Sequence, residues 1–227
     1  MLFFNTQRKY IISMLSLFDN IVTQKSDGRE TRVPVYWASQ ERLVQYLSKR
    51  NNQSKGSLPL PAMSLEQTGL VYDSPRKTNK LIQIPISKDI VTGASKHQYN
   101  SVPYNFEFML TIKTKTMTDI MQILEQILPQ FNPSVSLDVK EFPDGSTSSI
   151  TIVMLSVDVD YESDLQEETE QRMMTATLQF VLKGNIYMPI TDTGVITSIE
   201  NQFGTHTPEN LHNKYIIDEN IIVKEDL

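Results

Sequence analysis

The stretch of sequence that decides the fold is Tyr99–Pro133, which reads YNSVPYNFEFMLTIKTKTMTDIMQILEQILPQFNP. Large apolar side chains occupy every second position over Tyr104–Ile112, which predicts a strand with one buried face. Apolar residues then recur at helical spacing after Thr118, and Pro129 ends the pattern because proline disfavours the helical state of the preceding residue. The stretch therefore predicts a strand followed by a helix over 118–128, capped by Thr118.

Two helices and several short strands are predicted on the N-terminal side of this stretch. A helix is predicted over residues 4–25, where apolar residues recur at helical spacing before the turn sequence Asp27-Gly28. Ser39 predicts the N-cap of a second helix, because its hydroxyl can accept a hydrogen bond from a free backbone N–H. The remaining segments predict a short strand at 32–36 that Pro34 confines to an edge or a strand end, a loop at 51–57, strands at 63–72 and 81–86, and a polar loop at 87–98.

On the C-terminal side, the sequence predicts a hairpin and one more long strand. The hairpin joins residues 135–142 to 149–161 around Pro143-Asp144-Gly145. The apolar phase changes near Met154, which indicates either a bulge or burial on both faces. We expect an exposed acidic loop at 160–171, an alternating strand at 173–183, and a tail with few apolar positions at 204–227.

This order of elements predicts an α+β fold. The sheet should be mostly antiparallel or mixed, with N-terminal helices and one central helix packed on it, because the regular strand–helix alternation of a doubly wound fold is missing. We expect a single domain over residues 1–203 and a C-terminal extension over 204–227.

Composition narrows the function. The chain has 227 residues, a net charge of −6 and no cysteine, so it can form neither disulfides nor thiolate metal sites. No basic stripe is present, which argues against sequence-specific nucleic-acid binding. The apolar run over residues 11–18 is too short to cross a membrane and lacks a cleavage site, so we expect synthesis in the cytoplasm and no membrane association.

The sequence offers little catalytic chemistry. It contains no phosphate-binding loop, serine elbow or kinase motif. His206 and His212 are spaced too widely for a typical zinc site, and the alternating Asp158 and Asp160, followed by Glu162 and Asp164, lack the glycine turn of a calcium loop. We therefore predict no catalytic, cofactor-binding or metal-binding residues, and that the protein is not an enzyme.

Trp37, the only tryptophan, is interpreted first as a core residue and second as an interface anchor, because tryptophan is buried on average. Glu125, with its neighbouring glutamines, forms the polar face of the central helix. The candidate interface residues are Arg32, Pro34, Trp37, Arg76, Lys77, Asn79, Gln122, Glu125 and Gln126.

Short pieces of sequence spread over roughly residues 4–190 match one known family. They include Phe4-Asn5, Arg8 and Tyr10; Arg32-Val33-Pro34-Val35; Leu58-Pro59 and Leu60-Pro61; Lys77-Thr78-Asn79; Glu125-Gln126-Ile127-Leu128-Pro129; and Arg172, Leu178, Phe180, Gly184, Tyr187 and Pro189. Each piece is short, but their order and spacing together are specific. Through them the chain resembles the tail sheath stabiliser and completion proteins (tail terminators) of T4-like contractile-tailed phages.

The resemblance implies a non-enzymatic virion protein at the tail–neck junction, without a cofactor. Such a protein is expected to form a homohexameric ring that caps the head-proximal end of the tail, contacts the tail sheath and tail tube proteins, and offers a surface to the neck and head-completion proteins. The genome would pass through this ring. The C-terminal tail is shorter than in longer family members, so contacts made there by those members are not expected here.

Two other classes of function stay open at this point. One is a different ring of a contractile assembly, such as a neck or baseplate connector. The other is a metal-dependent enzyme that uses Asp158, Asp160 and the histidines His97, His206 and His212.

Overall fold

A computed structural model of the chain describes residues 4–25, 28–52, 59–88, 95–141, 147–165, 172–193, 199–202, 214–218 and 221–224. Of these, residues 4–78 and 101–187 form a larger compact unit, and residues 79–100 and 188–224 belong to a smaller one. The boundary expected at residue 203 stays a prediction, because residues 203–213 lie outside the described ranges. Within those ranges, each helix is too short or too polar to span a membrane.

The described chain contains three α-helices and fourteen strands. In chain order they are α1 (Thr6–Phe18), β1 (Val22–Gln24), β2 (Glu30–Arg32), β3 (Val35–Trp37), α2 (Gln40–Asn52), β4 (Ala62–Tyr72), β5 (Gln83–Lys88), β6 (Ser95–Tyr99), β7 (Val102–Thr114), α3 (Met117–Ile127), β8 (Ser134–Lys140), β9 (Thr147–Leu165), β10 (Arg172–Ile186), β11 (Thr191–Thr193), β12 (Ile199–Gln202), β13 (Lys214–Asp218) and β14 (Ile221–Lys224).

A six-stranded sheet organises the larger unit. Its order is β3-β4-β7-β10-β9-β8, and every neighbouring pair is antiparallel except β3 and β4, which are parallel. Together with the three helices, this confirms the predicted α+β fold with a mixed, mostly antiparallel sheet.

The main core lies on one face of this sheet, which we call the core face. The alternating apolar residues of β7 point to it, as predicted, and meet buried residues of α1 and α3. Phe180 on β10 lies between Phe18 of α1 and Phe131 after α3, with ring centroids 5.4 and 5.0 Å apart. The backbone approaches closely at Gly184, where a Cβ atom would lie 2.4 Å from the Tyr10 ring.

A smaller apolar cluster covers part of the other face of the sheet. Leu43, Val44 and Leu47 of α2 pack there against Ala62 and Met173, at the end of the sheet where β4 begins. As predicted, Ser39 precedes this helix, and its hydroxyl accepts a hydrogen bond of 3.5 Å from the N–H of Arg42. The helix reaches Asn52, so the predicted loop begins too early, and residues 53–58 lie outside the described ranges.

The predicted first helix is too long. The helix ends at Phe18, and Val22–Gln24 form β1, which pairs antiparallel with β2. The β-branched residues Val22 and Thr23 suit a strand, and the partner that stabilises it comes from outside the helical window. The strand predicted at 32–36 is in fact two: the chain leaves β2 at Arg32 and joins β4 through β3.

The central helix begins earlier than predicted. Thr116, rather than Thr118, is its N-cap, since the Thr116 hydroxyl accepts a 3.3 Å hydrogen bond from the N–H of Asp119. Pro129 follows the helix in a single 3-10 turn, where its missing N–H ends the α-helical hydrogen-bond pattern. The cap position was missed because both threonines precede the same apolar stripe.

The hairpin of β8 and β9 is confirmed, although its turn at 142–146 lies outside the described residues. The phase change near Met154 is a bulge: Gln179 faces Ser156 while Phe180 faces Met154, which leaves Leu155 as the extra residue, 60% exposed. The prediction of an acidic loop at 160–171 is wrong for residues 160–165, because β9 continues to Leu165.

The smaller unit contains two three-stranded antiparallel sheets, ordered β11-β6-β5 and β12-β13-β14. β6 lies in the segment 87–98, for which the sequence predicts a polar loop. That prediction is wrong for β6, because its backbone pairing with neighbouring strands compensates for its polar sequence. Gln98 on β6 is buried and donates a 2.6 Å hydrogen bond to the carbonyl of Met188. Strands β13 and β14 were likewise not predicted in the tail.

Candidate functional site

Four of the candidate interface residues gather around the two-stranded ribbon formed by β1 and β2. Arg32 ends β2 and faces Val22 of β1, while Gln122 and Gln126 of α3 lie along the free side of β1. Pro34 follows the ribbon, and its carbonyl accepts a 2.9 Å hydrogen bond from the N–H of Met63.

The two glutamines bind β1 as a neighbouring strand would. The Gln126 amide accepts from the Val22 N–H at 3.1 Å and donates to the Val22 carbonyl at 2.6 Å. The Gln122 amide does the same with Gln24, at 2.8 and 3.3 Å. The helix thus satisfies backbone groups that an edge strand would leave to water.

Replacing Gln126 with alanine should therefore weaken the ribbon. We expect a loss of about 1–2 kcal/mol in the free energy of unfolding, because two backbone hydrogen bonds at Val22 lose their partner. Urea denaturation measures this loss in the free energy of unfolding. Glu125→Ala, an exposed change on the same helix, is the matched control and should stay within about 0.5 kcal/mol. Equal losses in both variants would contradict this role.

An open groove of about 620 Å³ lies beside the ribbon and includes Arg32, Pro34 and the extended Pro59–Pro61 segment. Arg32 reaches back to the end of α1, where its guanidinium lies 2.5 Å from Asp19 Oδ2 and its Nε donates to the Asp19 carbonyl at 2.6 Å. Both side chains are more than half exposed, so this ion pair contributes little to stability. Their charges are accessible to a partner.

Arg76 lies at the opposite end of the sheet. It lies beyond β4 in a 3-10 turn, donates to Asp73 Oδ2 at 2.5 Å, and also donates to the carbonyls of Tyr104 and Gly184 at 3.2 and 3.4 Å. The hydrogen bond from Arg76 lowers the pKa of Asp73. Arg76 thus ties the turn to β7 and β10.

Lys77 and Asn79 follow Arg76 and are exposed. The Asn79 side chain accepts a 3.0 Å hydrogen bond from the N–H of Leu81. Glu125 is exposed on α3. The role of all these residues as interface positions stays a prediction.

Trp37 is not a core residue, so the first interpretation of this tryptophan is wrong. It is 46% exposed, and the edge of its ring system meets Phe108 at a centroid distance of 6.4 Å. Leu70 and Tyr72 at the end of β4 are 41% and 43% exposed, and their register with Phe106 and Tyr104 places them on the same face of the sheet. These three residues, which we call the apolar strip, border the core face along one edge.

A buried carboxylate forms a second distinctive feature, which the sequence analysis missed. Glu141, just after β8, is fully buried. The Tyr10 hydroxyl donates to its Oε1, and the Tyr187 hydroxyl donates to its Oε2 at 2.5 Å. Tyr10 also accepts from the Asn185 N–H at 3.0 Å, and Lys9 Nζ donates to the Glu141 carbonyl at 2.7 Å. The cluster joins α1 to the ends of β8 and β10.

The two tyrosines make the stability of this cluster sensitive to alkaline pH. Burial raises the pKa of Tyr10 and of Tyr187, and the hydrogen bond to Glu141 raises each further. Because the folded-state pKa lies above the unfolded value of about 10, the protonated form stabilises the fold fully below pH 10, and this contribution is lost as pH rises toward the folded pKa.

The expected result is a urea midpoint that falls steeply above about pH 10. The variant carrying Tyr10→Phe and Tyr187→Phe should be less stable at neutral pH and should show a shallower fall. Parallel curves for the two proteins would mean that other groups cause the alkaline loss.

The residues proposed for a metal-dependent enzyme do not form a site in the described part of the chain. No group of three or more histidine, aspartate or glutamate residues is placed there to hold an ion. Asp158 and Asp160 are exposed on β9, His97 lies on β6, and His206 and His212 lie outside the described residues.

Comparison with known proteins shows the family of the chain. The profile of the family described as T4-like virus Myoviridae tail sheath stabiliser matches residues 2–226. The chain belongs to this family. This confirms the resemblance found in the sequence, and it makes the protein a structural component of a contractile phage tail, and therefore of the virion.

The chain is similar to two known proteins. It is 30% identical to the tail completion protein of Enterobacteria phage T4 in an alignment of 219 positions that covers 90% of this chain and 79% of the T4 protein. It is also similar to the sheath/tube terminator of an extracellular contractile injection system (PVC) in the extended state, at 9% identity and a TM-score of 0.33. That match covers 90% of this chain but only 64% of the terminator chain.

Proposed function

We propose that six copies of this tail sheath stabiliser form a ring that caps the head-proximal end of the tail. The ring contacts the last sheath and tube subunits and offers its other side to the neck and head-completion proteins. The single observation that supports the proposal is the family match over residues 2–226, which covers almost the whole chain.

The surface of the larger unit supports a role in assembly. The ribbon of β1 and β2 is hydrogen-bonded to the glutamines of α3 and borders the open groove beside Pro59–Pro61. An accessible ion pair lines this groove, and the apolar strip supplies large exposed side chains. A protein that binds neighbours needs complementary faces of this kind rather than a reactive pocket. We therefore propose no catalytic role.

Native mass spectrometry of the purified protein tests the ring, with negative-stain images of the same sample. We expect a species of six chains of 26.0 kDa each and six-fold rings in the images. If the free protein is a monomer, the test moves to tails that lack it. Adding the protein should then allow those tails to join heads, and tails that still fail to join would refute the proposal.

A further inference from the structure

We propose that neighbouring copies in the ring are joined by sheet pairing: β8 of one copy adds as a parallel strand to the edge of β4 in the next. This inference rests on the proposed ring and names the two surfaces that build it. Each surface is an edge of the six-stranded sheet, so the pairing would join the sheets of successive copies.

The first surface is the part of β4 that β3 does not cover. Among the described residues, β3 pairs only with Met63–Leu65, so β4 has a neighbour on one side alone from Glu66 onward. A bulge between Gln67 and Gly69 interrupts the pairing of β4 with β7. Beyond the bulge, Gly69–Tyr72 pairs regularly with β7. Soluble proteins usually protect such edges with charges or proline, and Gly69–Tyr72 has neither.

The apolar strip makes this edge costly to leave in water. Trp37, Leu70 and Tyr72 are 46%, 41% and 43% exposed beside the core face, and Val71 on the other face is 50% exposed. These are large side chains on both faces of one short edge. A partner strand would cover them from the side while its backbone used the free hydrogen-bonding groups of β4.

The second surface is β8, the strand at the opposite edge of the same sheet. Among the described residues, it pairs with β9 only. Val135 and Leu137 face Ile152 and Ile150, which places them on the core face, while Ser136 and Asp138 are exposed on the other. The apolar residues of β8 therefore point to the same face as Leu70 and Tyr72.

Symmetry favours this pair of edges. A head-to-tail ring joins two different surfaces of the chain, and a rotation about the ring axis preserves both strand direction and the face that points inward. β4 and β8 are separated by four antiparallel steps, so they run in the same direction within one sheet. Their pairing across copies is therefore parallel, and the core faces of the two sheets lie on the same side.

Helix α1 provides an additional contact. It packs beside β8 through the Lys9–Glu141 hydrogen bond, and it exposes Ile12 by 54%. When β8 of one copy lies on β4 of the next, this helix lies near the apolar strip of that copy. Ile12, which is 54% exposed in the single chain, then covers part of the strip.

Disulfide cross-linking tests the pairing, because the natural chain has no cysteine. Val71→Cys is combined in turn with Ser134→Cys, Ser136→Cys or Asp138→Cys, which samples the possible registers on the face away from the core. Neighbouring strands bring Cα atoms to within about 5–6 Å, the range that a disulfide spans. We expect at least one pair to give, after mild oxidation, a reducible ladder of bands up to six chains.

The control pair is Val71→Cys with Met121→Cys, an equally exposed position on α3, and it should give no ladder. Six-fold rings without a ladder in any of the three pairs would overturn the inference and leave the proposed function intact. Cross-links formed on tails between Val71→Cys and a different protein would also overturn it, since the strand that pairs with β4 would then belong to that protein. Failure to form rings in solution or on tails would overturn both.

A surface substitution gives a second test that does not depend on register. Leu70→Lys should reduce the fraction of chains in rings at least tenfold at a fixed concentration, while the melting temperature of the single chain stays unchanged. Leu155→Lys, also at an exposed leucine, is the control and should leave the rings intact. Rings that tolerate Leu70→Lys as well as Leu155→Lys would contradict the pairing.

Discussion

Replacing Phe180 with alanine is expected to lower the free energy of unfolding by about 3–5 kcal/mol. The side chain is 1% exposed and lies between Phe18 and Phe131, so it links β10 to α1 and to the segment after α3. Truncation removes buried apolar area and leaves a cavity that two aromatic rings on separate elements cannot easily fill.

Urea denaturation at one fixed chain concentration measures this loss. Leu155→Ala is the control, because the bulged Leu155 is 60% exposed and its truncation should change stability by less than about 0.5 kcal/mol. A loss below about 1 kcal/mol for Phe180→Ala would show that the contact between the helices and the sheet is not the main core.

Replacing Tyr10 with phenylalanine is expected to cost about 1.5–3 kcal/mol, although only one hydroxyl is removed. The fully buried Glu141 carboxylate then loses one of its two phenol donors, and the Asn185 N–H loses its acceptor. Burying a charge with incomplete hydrogen bonding is more costly than the bond itself contributes.

A double-mutant cycle with Tyr187→Phe identifies the cause. Since both hydroxyls bind the same carboxylate, we expect the two losses to be non-additive. Tyr46→Phe is the control, because Tyr46 is half exposed and its substitution should be nearly neutral. Additive losses would indicate that the tyrosines act separately rather than through Glu141.

Local pattern was sufficient for the elements that stabilise the core. The alternation over Tyr104–Ile112 predicts β7, because it shows which face of the strand is buried. The phase change near Met154 indicates either a bulge or burial on both faces, and the structure shows the bulge, at Leu155. The α+β class followed from the order of these elements.

Other features depend on contacts that are distant in sequence. Val22–Gln24 continues the apolar pattern of α1, and only pairing with β2 and the glutamines of α3 makes it a strand. Glu141 stands before a turn sequence, where a charged residue is normally exposed, and its partner Tyr10 is 131 residues away. No local signal in a single sequence could have identified that pair.

For the candidate interface residues too, local sequence indicates some features, while others depend on contacts that are distant in sequence. Gln122 and Gln126 were chosen as a polar helix face, and their side chains bind β1 within the chain. The core interpretation of Trp37 rests on the average burial of tryptophan, yet β3 lies at the edge of the sheet and leaves Trp37 half exposed. Residue type indicates which positions are candidates, whereas the topology decides what each one contacts.

Electron microscopy of purified tails decorated with an antibody against this protein tests the central claim most directly. A terminator ring predicts label at one end of each tail only, the end opposite the baseplate, before heads are attached. Label at the baseplate end, or along the length of the sheath, would contradict the account and would instead support a different ring of the contractile assembly.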